Sequence, residues 1–194
     1  MLQTEKEKLF NYDEEYLSIA ITENGESYGR YPIPWDSTSN AYNMKLPNVY
    51  ISKDDLHNDE IMQKICSFKV NGCYIFCELD NYDFLNRFVD MYDLNIYSAH
   101  NLKDISFLKS FCNCRLMFIS RAHLKDIDLV VSNTQSTIAY PRNVALYNCV
   151  VDDISKLKES NCYFHEFIIS NPKSRNERLR WDGINKLKYY EFKE

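Results

Sequence analysis

Apolar residues recur along this chain in short alternating bursts, each followed by a polar turn and a further apolar anchor. The template L-x-L-x-x-N/C-x-L can be laid down six times, starting at Val49, Gly72, Asn95, Met117, Val144 and Phe167. The steps between starts are 23, 23, 22, 27 and 23 residues. Alternation with a period of two predicts a short strand in each copy, whose first and third positions point into a core. The tetrapeptide LKDI is written twice, at 102–105 and 124–127, and its flanks follow the same pattern. Apolar anchors recur after the strands as Tyr82, Ile105, Ile127 and Ile154, then as Leu85, Leu108, Val130 and Leu157. A spacing of about 20 to 29 residues is what one stacked coil needs for a strand, a turn and a return segment.

The sixth template position is where a buried Asn or Cys can bond unpaired backbone groups of adjacent coils. That column reads Asp54, Cys77, His100, Ala122, Cys149 and Pro172, so two cysteines fit it. Register is open by one residue in some copies, since a slip of one reverses every side chain of a strand. The shifted alternative places Ile75, Leu94, Ile96 and Phe118 inward.

The segments LKDISFLKSF and DDISKLKES resemble the 22-residue leucine-rich repeats of the bacterial internalin type, whose return segment runs N-x-I-x-D-I-x-x-L. The resemblance covers roughly residues 46–171 and is clearest at 94–130. It implies an α/β fold, a leucine-rich-repeat-like right-handed solenoid with a parallel concave sheet of about six strands and a cap at each end. On that reading residues 1–45 form the N-terminal cap, 46–172 the solenoid and 173–194 the C-terminal cap. From Tyr16 the N-terminal cap reads as a hairpin turning at Asn24-Gly25. In the C-terminal cap, Trp181, Ile184 and Leu187 have helical then strand-like spacing. The long fourth step falls in a surface loop at 131–143.

The strand positions facing away from the core supply the candidate site. Position four reads Ser52, Ile75, Ser98, Ser120, Tyr147 and Ser170, a column rich in short polar side chains. Position two reads Tyr50, Cys73, Ile96, Phe118, Ala145 and Ile168, too apolar for a face merely exposed to water. With Arg121 beside them, Tyr50, Phe118 and Tyr147 have the composition of interface anchors. The expected partner-binding set is therefore Tyr50, Ser52, Ile75, Ile96, Ser98, Phe118, Ser120, Arg121, Tyr147 and Ser170.

Bulk properties narrow the function classes. At 194 residues, 45% hydrophobic and 26% charged, the chain has the make-up of an ordinary globular domain. A net charge of −5 and a pI near 5.4 argue against general nucleic-acid binding. Residues 1–95 hold 17 acids against 8 bases, and the remainder 11 against 15, a polarity that can steer a charged partner. No run of apolar residues is long enough to span a bilayer, and the polar start lacks a secretion pattern, so a cytoplasmic location is expected. Seven cysteines without CxxC spacing read as free thiols in a reducing compartment. Four glycines build no phosphate-cradling loop, and no cofactor or metal site is expected.

These readings favour a non-enzymatic protein-binding module that uses the concave face, with a bacterial immunity or antitoxin-like role as its narrower form. No catalytic residue is assigned. The alternatives are an enzyme with a surface site near His100 and His123, or a structural protein that assembles through its ends.

Overall fold

The strand YLSIAIT, β1 (Tyr16–Thr22), is buried at six successive positions, the pattern of a strand covered on both faces. In the computed structural model it lies second from the edge of a nine-stranded sheet ordered β11-β10-β9-β7-β5-β4-β3-β1-β2. Residues 1–27, 47–111, 114, 116–126 and 145–153 are described with side chains, and 143–144, 166–170, 177–181 and 187–191 by backbone alone. The strands are β2 (Val49–Ser52), β3 (Lys69–Ile75), β4 (Asp93–Ile96), β5 (Leu116–Ser120), β6 (His123–Asp126), β7 (Asn143–Tyr147), β8 (Val150–Asp153), β9 (Glu166–Ser170), β10 (Glu177–Trp181) and β11 (Leu187–Glu191). From β2 to β9 every pairing in the large sheet is parallel, and β10 and β11 close it with antiparallel pairings. The architecture is mixed α/β around a mostly parallel, open sheet.

Parallel register sets the core. Ile51, Ile21, Ile75, Ile96, Ile119 and Leu146 stand side by side on successive strands, and none has exposed surface. One step back, Val49, Ile19, Cys73, Leu94 and Met117 form a second row, each 2% exposed or less. The shifted register is thus the observed one for Ile75, Leu94 and Ile96, whereas Phe118 stays on the opposite face. Ile75 and Ile96 are core residues and not part of a partner-facing surface, because their neighbours in the ladder are the inward Ile21 and Ile119. The strand starts assigned to Gly72 and Asn95 each move by one residue, to Cys73 and Leu94.

Opposite the sheet, the return segments begin as short 3-10 helices, η1 (Lys53–His57), η2 (Asp83–Arg87) and η3 (Ser106–Ser110). Farther along the chain β6 and β8 take their place as a parallel pair. Tyr82, Leu85, Leu102, Ile105, Leu108 and Leu124 all join the single large core cluster, as the repeat pattern requires. Ile127, Val130, Ile154 and Leu157 lie outside the described residues, as does the 131–142 loop segment.

Two helices finish the N-terminal end. The α1 helix (Gln3–Phe10) buries Leu9 and lays Glu5 along the outermost strand, where its carboxylate accepts a hydrogen bond from the Tyr50 amide at 2.7 Å. An edge that would otherwise offer free backbone groups is thereby partly closed. The α2 helix (Asp59–Cys66) carries β2 past β1 to β3, buries Ile61, Met62 and Ile65, and is capped by Asn58, which accepts from the amides of Glu60 and Ile61.

The hairpin reading of β1 is corrected by this topology. Asn24 and Gly25 do turn the chain, with Gly25 at φ 79° and its amide bonded to the Thr22 hydroxyl. Yet β2 and β3 occupy both edges of β1 in parallel, so no edge remains for an antiparallel partner. At the other end, Trp181 and Leu187 sit opposite each other in the β10–β11 pairing, which replaces the helical spacing read there.

Small side chains mark the strand exits. Cys77, Ala99, Ala122 and Cys149 are 6% exposed or less. The Cys149 thiol donates to the Ile119 carbonyl at 3.4 Å and Cys77 to that of Ile21 at 3.9 Å, each reaching a neighbouring strand. His100, read into this column, is displaced from it by Ala99 and is exposed. Among the described residues Cys66, Cys73, Cys77, Cys114 and Cys149 are free, and burial pushes the thiols of Cys77 and Cys149 up to about 11.

Truncating one member of the stacked columns tests their common core. Leu124→Ala removes a side chain with no exposed surface and is expected to cost about 2 to 5 kcal/mol in urea unfolding. A loss below about 0.5 kcal/mol, the range of surface substitutions, would contradict the packing.

Candidate binding surface

The face of the sheet turned away from the main core carries two rows of its own. Tyr50, Ala20, Tyr74, Asn95, Phe118 and Ala145 follow one another across the strands. Tyr147 stands opposite Ser120 one row on, and the residues that follow β3 and β4, Phe76 and Tyr97, stack at 4.7 Å with an angle of 11°. Phe118 tilts against Tyr97 at 5.2 Å. Offset and tilted aromatic contacts of this kind add to area burial. Tyr50, Tyr74 and Phe118 are 9% exposed or less, so this face is a second apolar layer over most of its described extent and not an open platform.

A polar cluster is set into that layer. Gly72 leaves the space that the Tyr74 ring occupies, since a Cβ there would lie 2.9 Å from the Ser18 Cβ and 3.3 Å from the ring. The Tyr74 hydroxyl donates to Asp93 at 2.9 Å, and the Asn95 amide donates to the other carboxylate oxygen at 2.6 Å. Burial pushes the Asp93 carboxyl above the usual range although both hydrogen bonds pull it down. Burial and then the Asp93 charge raise the Tyr97 hydroxyl to about 12. Gly72, Tyr74 and Asp93 were not picked out as a cluster by the strand template, because a register slip of one puts Tyr74 in the core.

Solvent is reached at the strand exits. Tyr147 is 42% exposed, and its carbonyl accepts from the Arg121 amide at 3.0 Å across two neighbouring strands. Arg121 is exposed and left-handed at φ 66°, and Asn148 follows Tyr147 at φ 52°. A residue with a Cβ pays roughly 1 to 2 kcal/mol for that backbone region, where Gly or Asn is more usual. An exposed Arg held there is therefore not explained by local backbone preference.

The remaining expected site residues are scattered. Ser52 is buried and hydrogen-bonds Asp55 at 2.5 Å, in a cluster where the Met1 amino group also meets Asp55 at 2.7 Å. Ser98 is half-buried, with its carbonyl accepting from the Tyr82 hydroxyl. Ser120 is buried and donates to the Tyr97 carbonyl at 2.5 Å. The Ser170 side chain lies outside the described residues. His100 and His123 each lie near an acid on another segment: His100 is 3.6 Å from Glu78 and His123 2.8 Å from Asp152, all four side chains at least half exposed. Among the described residues no group of three or more His, Cys, Asp and Glu side chains is placed to hold a metal ion, and no helix is long and apolar enough to cross a membrane.

No protein-family model matches the chain, and neither a curated protein nor a solved structure matches it.

The Asp93 cluster gives a pH-dependent expectation. A carboxyl whose folded pKa lies above its unfolded value near 3.8 favours folding fully below that value, and the benefit is lost as pH rises through the folded pKa. Asp93→Asn removes the ionisation and keeps one acceptor oxygen, for Tyr74 or Asn95 but not both, so the pH dependence of its stability is the readout. Relative to wild type, the variant is expected to gain stability as pH rises from about 4 toward neutrality in paired urea titrations. A variant that loses ground over that interval would show that the ionised carboxylate is the favoured form.

Proposed function

We propose that this chain is a non-enzymatic protein-binding module, built as a leucine-rich-repeat-like solenoid, that engages its partner at the strand-exit margin around Tyr147 and Arg121. The repeat of strand, small exit residue and return segment at steps of 22 to 27 residues supports the solenoid reading. Such a stack offers a rigid surface that needs little ordering on binding. The observation that carries the binding reading is the pairing of an exposed Tyr147 with an exposed, left-handed Arg121 on adjacent strands. Tyr and Arg dominate the energetics of known interfaces, and here both stand beside an already buried aromatic layer that excludes water. Phe118, withdrawn into that layer on the neighbouring strand, backs the margin, whereas Tyr50 lies on the far edge strand β2 and is not part of it. An immunity or antitoxin-like role, masking a basic partner, is the narrower form of the proposal and is in keeping with the net charge of −5.

Two substitutions separate binding from folding. Tyr147→Ala removes the exposed anchor and is expected to weaken partner capture by at least about 2 kcal/mol, close to 30-fold. Arg121→Gly removes the side chain but relaxes the backbone, so stability should stay level or rise by up to about 1 kcal/mol while capture falls. Affinity capture from native lysate with quantitative mass spectrometry, beside thermal melts of each variant, reads both effects. Undiminished capture by two well-folded variants would refute the proposed margin.

A further inference from the structure

The order β2-β1-β3 means that the chain leaves β1 toward the sheet edge and then returns past it to build the rest of the sheet. In open parallel sheets, ligands settle in the crevice outside the carboxyl ends of the strands at such a reversal. The ends of the three strands lie together here, with Thr22 opposite Ser52 and Ile21 opposite Ile75. Just beyond them a groove of about 380 Å³ opens between η1, the turn after β3, and η2. That volume falls within the range of small-molecule sites.

The lining decides the class of ligand. Leu56, Leu79 and Phe84 give the groove an apolar floor, and Asp54, Glu78, Asp80 and Asp83 surround it. Lys53, Arg87 and His57 also line the groove. Lys53 is already paired with Glu23 outside it and Glu78 lies 3.6 Å from His100, which leaves Asp54, Asp80 and Asp83 against Arg87 as its fixed charges. The nearby amino end of α2 does not turn the site toward anions. Its first amides are taken by Asn58, and Asp59 and Glu60 offset the helix dipole. We infer that this groove at the strand-order reversal binds an organic cation, an alkyl chain ending in ammonium or guanidinium, with the chain over Leu79 and Phe84 and the charged end at Asp80 and Asp83. The cation is either a free polyamine-like molecule or a Lys or Arg side chain presented by another protein. This site is separate from the Tyr147 and Arg121 margin and does not depend on it.

Calorimetric titration of the full chain with agmatine, with a short capped Arg/Lys peptide and with inorganic phosphate tests the assignment. Saturable binding of agmatine or the peptide is expected, weakening with added salt, and phosphate should give no saturable signal. Preference for agmatine points to the free molecule, and preference for the peptide points to a presented side chain. Asp80→Asn with Asp83→Asn, both exposed positions, should weaken binding about tenfold, while Arg87→Ala, which removes the opposing cation, should tighten it. Absence of saturable binding by both cations, preference for phosphate, an unaffected Asp80/Asp83 variant, or loss of binding in Arg87→Ala would each overturn the inference.

Discussion

Each inner strand of a parallel sheet must satisfy its backbone groups toward two neighbours, and with a side-chain period of two only one register also stacks its apolar residues. Here that register lines up Ile51, Ile21, Ile75, Ile96, Ile119 and Leu146 in one unexposed row. Everything on the opposite face follows from it. Tyr50, Tyr74 and Phe118 must then project from the other side, where Gly72 makes room for one ring and Asp93 accepts from its hydroxyl. The chain thus builds two apolar layers from one sheet, a large aliphatic layer beneath the return segments and a smaller aromatic one above.

The same constraint shapes the strand exits. Parallel strands about 4.8 Å apart leave little room where the chain turns out of the sheet. Cys77, Ala99, Ala122 and Cys149 meet that limit by being small, and the two thiols also donate to neighbouring carbonyls. Beyond β5 and β7 the turn is made through left-handed Arg121 and Asn148. Arg121, Tyr147 and Asn148 are all exposed at these turns. Charge pairs between neighbouring segments, such as His123 with Asp152 and Lys53 with Glu23, lie at the same end of the sheet. Exposed pairs of that kind contribute little to stability, so the packed core and not the rim holds the fold together.

Much of the core was legible in the sequence because equivalent anchors, Tyr82 with Ile105, Leu85 with Leu108 and Leu102 with Leu124, recur at steps of 22 or 23 residues and all join the main core cluster. Register was less legible. Tyr74 and Tyr97 are apolar enough to pass as core residues in an L-x-L template, and Asn95 and Gly72 disclose the slip only once Asp93 and the Tyr74 ring are placed beside them. The position of β1 was hidden by a true local turn at Gly25, although the uncharged, largely apolar run LSIAIT already fits a strand covered on both faces. For the candidate site, Tyr147 and Arg121 could be read from their column, while the burial of Tyr50 and Phe118 depends on tertiary packing that a single-strand pattern does not encode. The groove near Asp80 and Asp83 was invisible for a further reason, since it arises from strand order and not from any motif.

The placement of β1 between β2 and β3 is the point on which register, both apolar layers and the strand-order reversal rest together. Methyl NOE spectroscopy on isoleucine-labelled protein examines it directly. Ile21 is predicted to show cross-peaks to both Ile51 and Ile75, while Ile51 and Ile75, two strands apart at about 9 to 10 Å, show none to each other. A direct Ile51 to Ile75 cross-peak, with Ile21 touching neither, would put β1 outside the sheet and contradict the account.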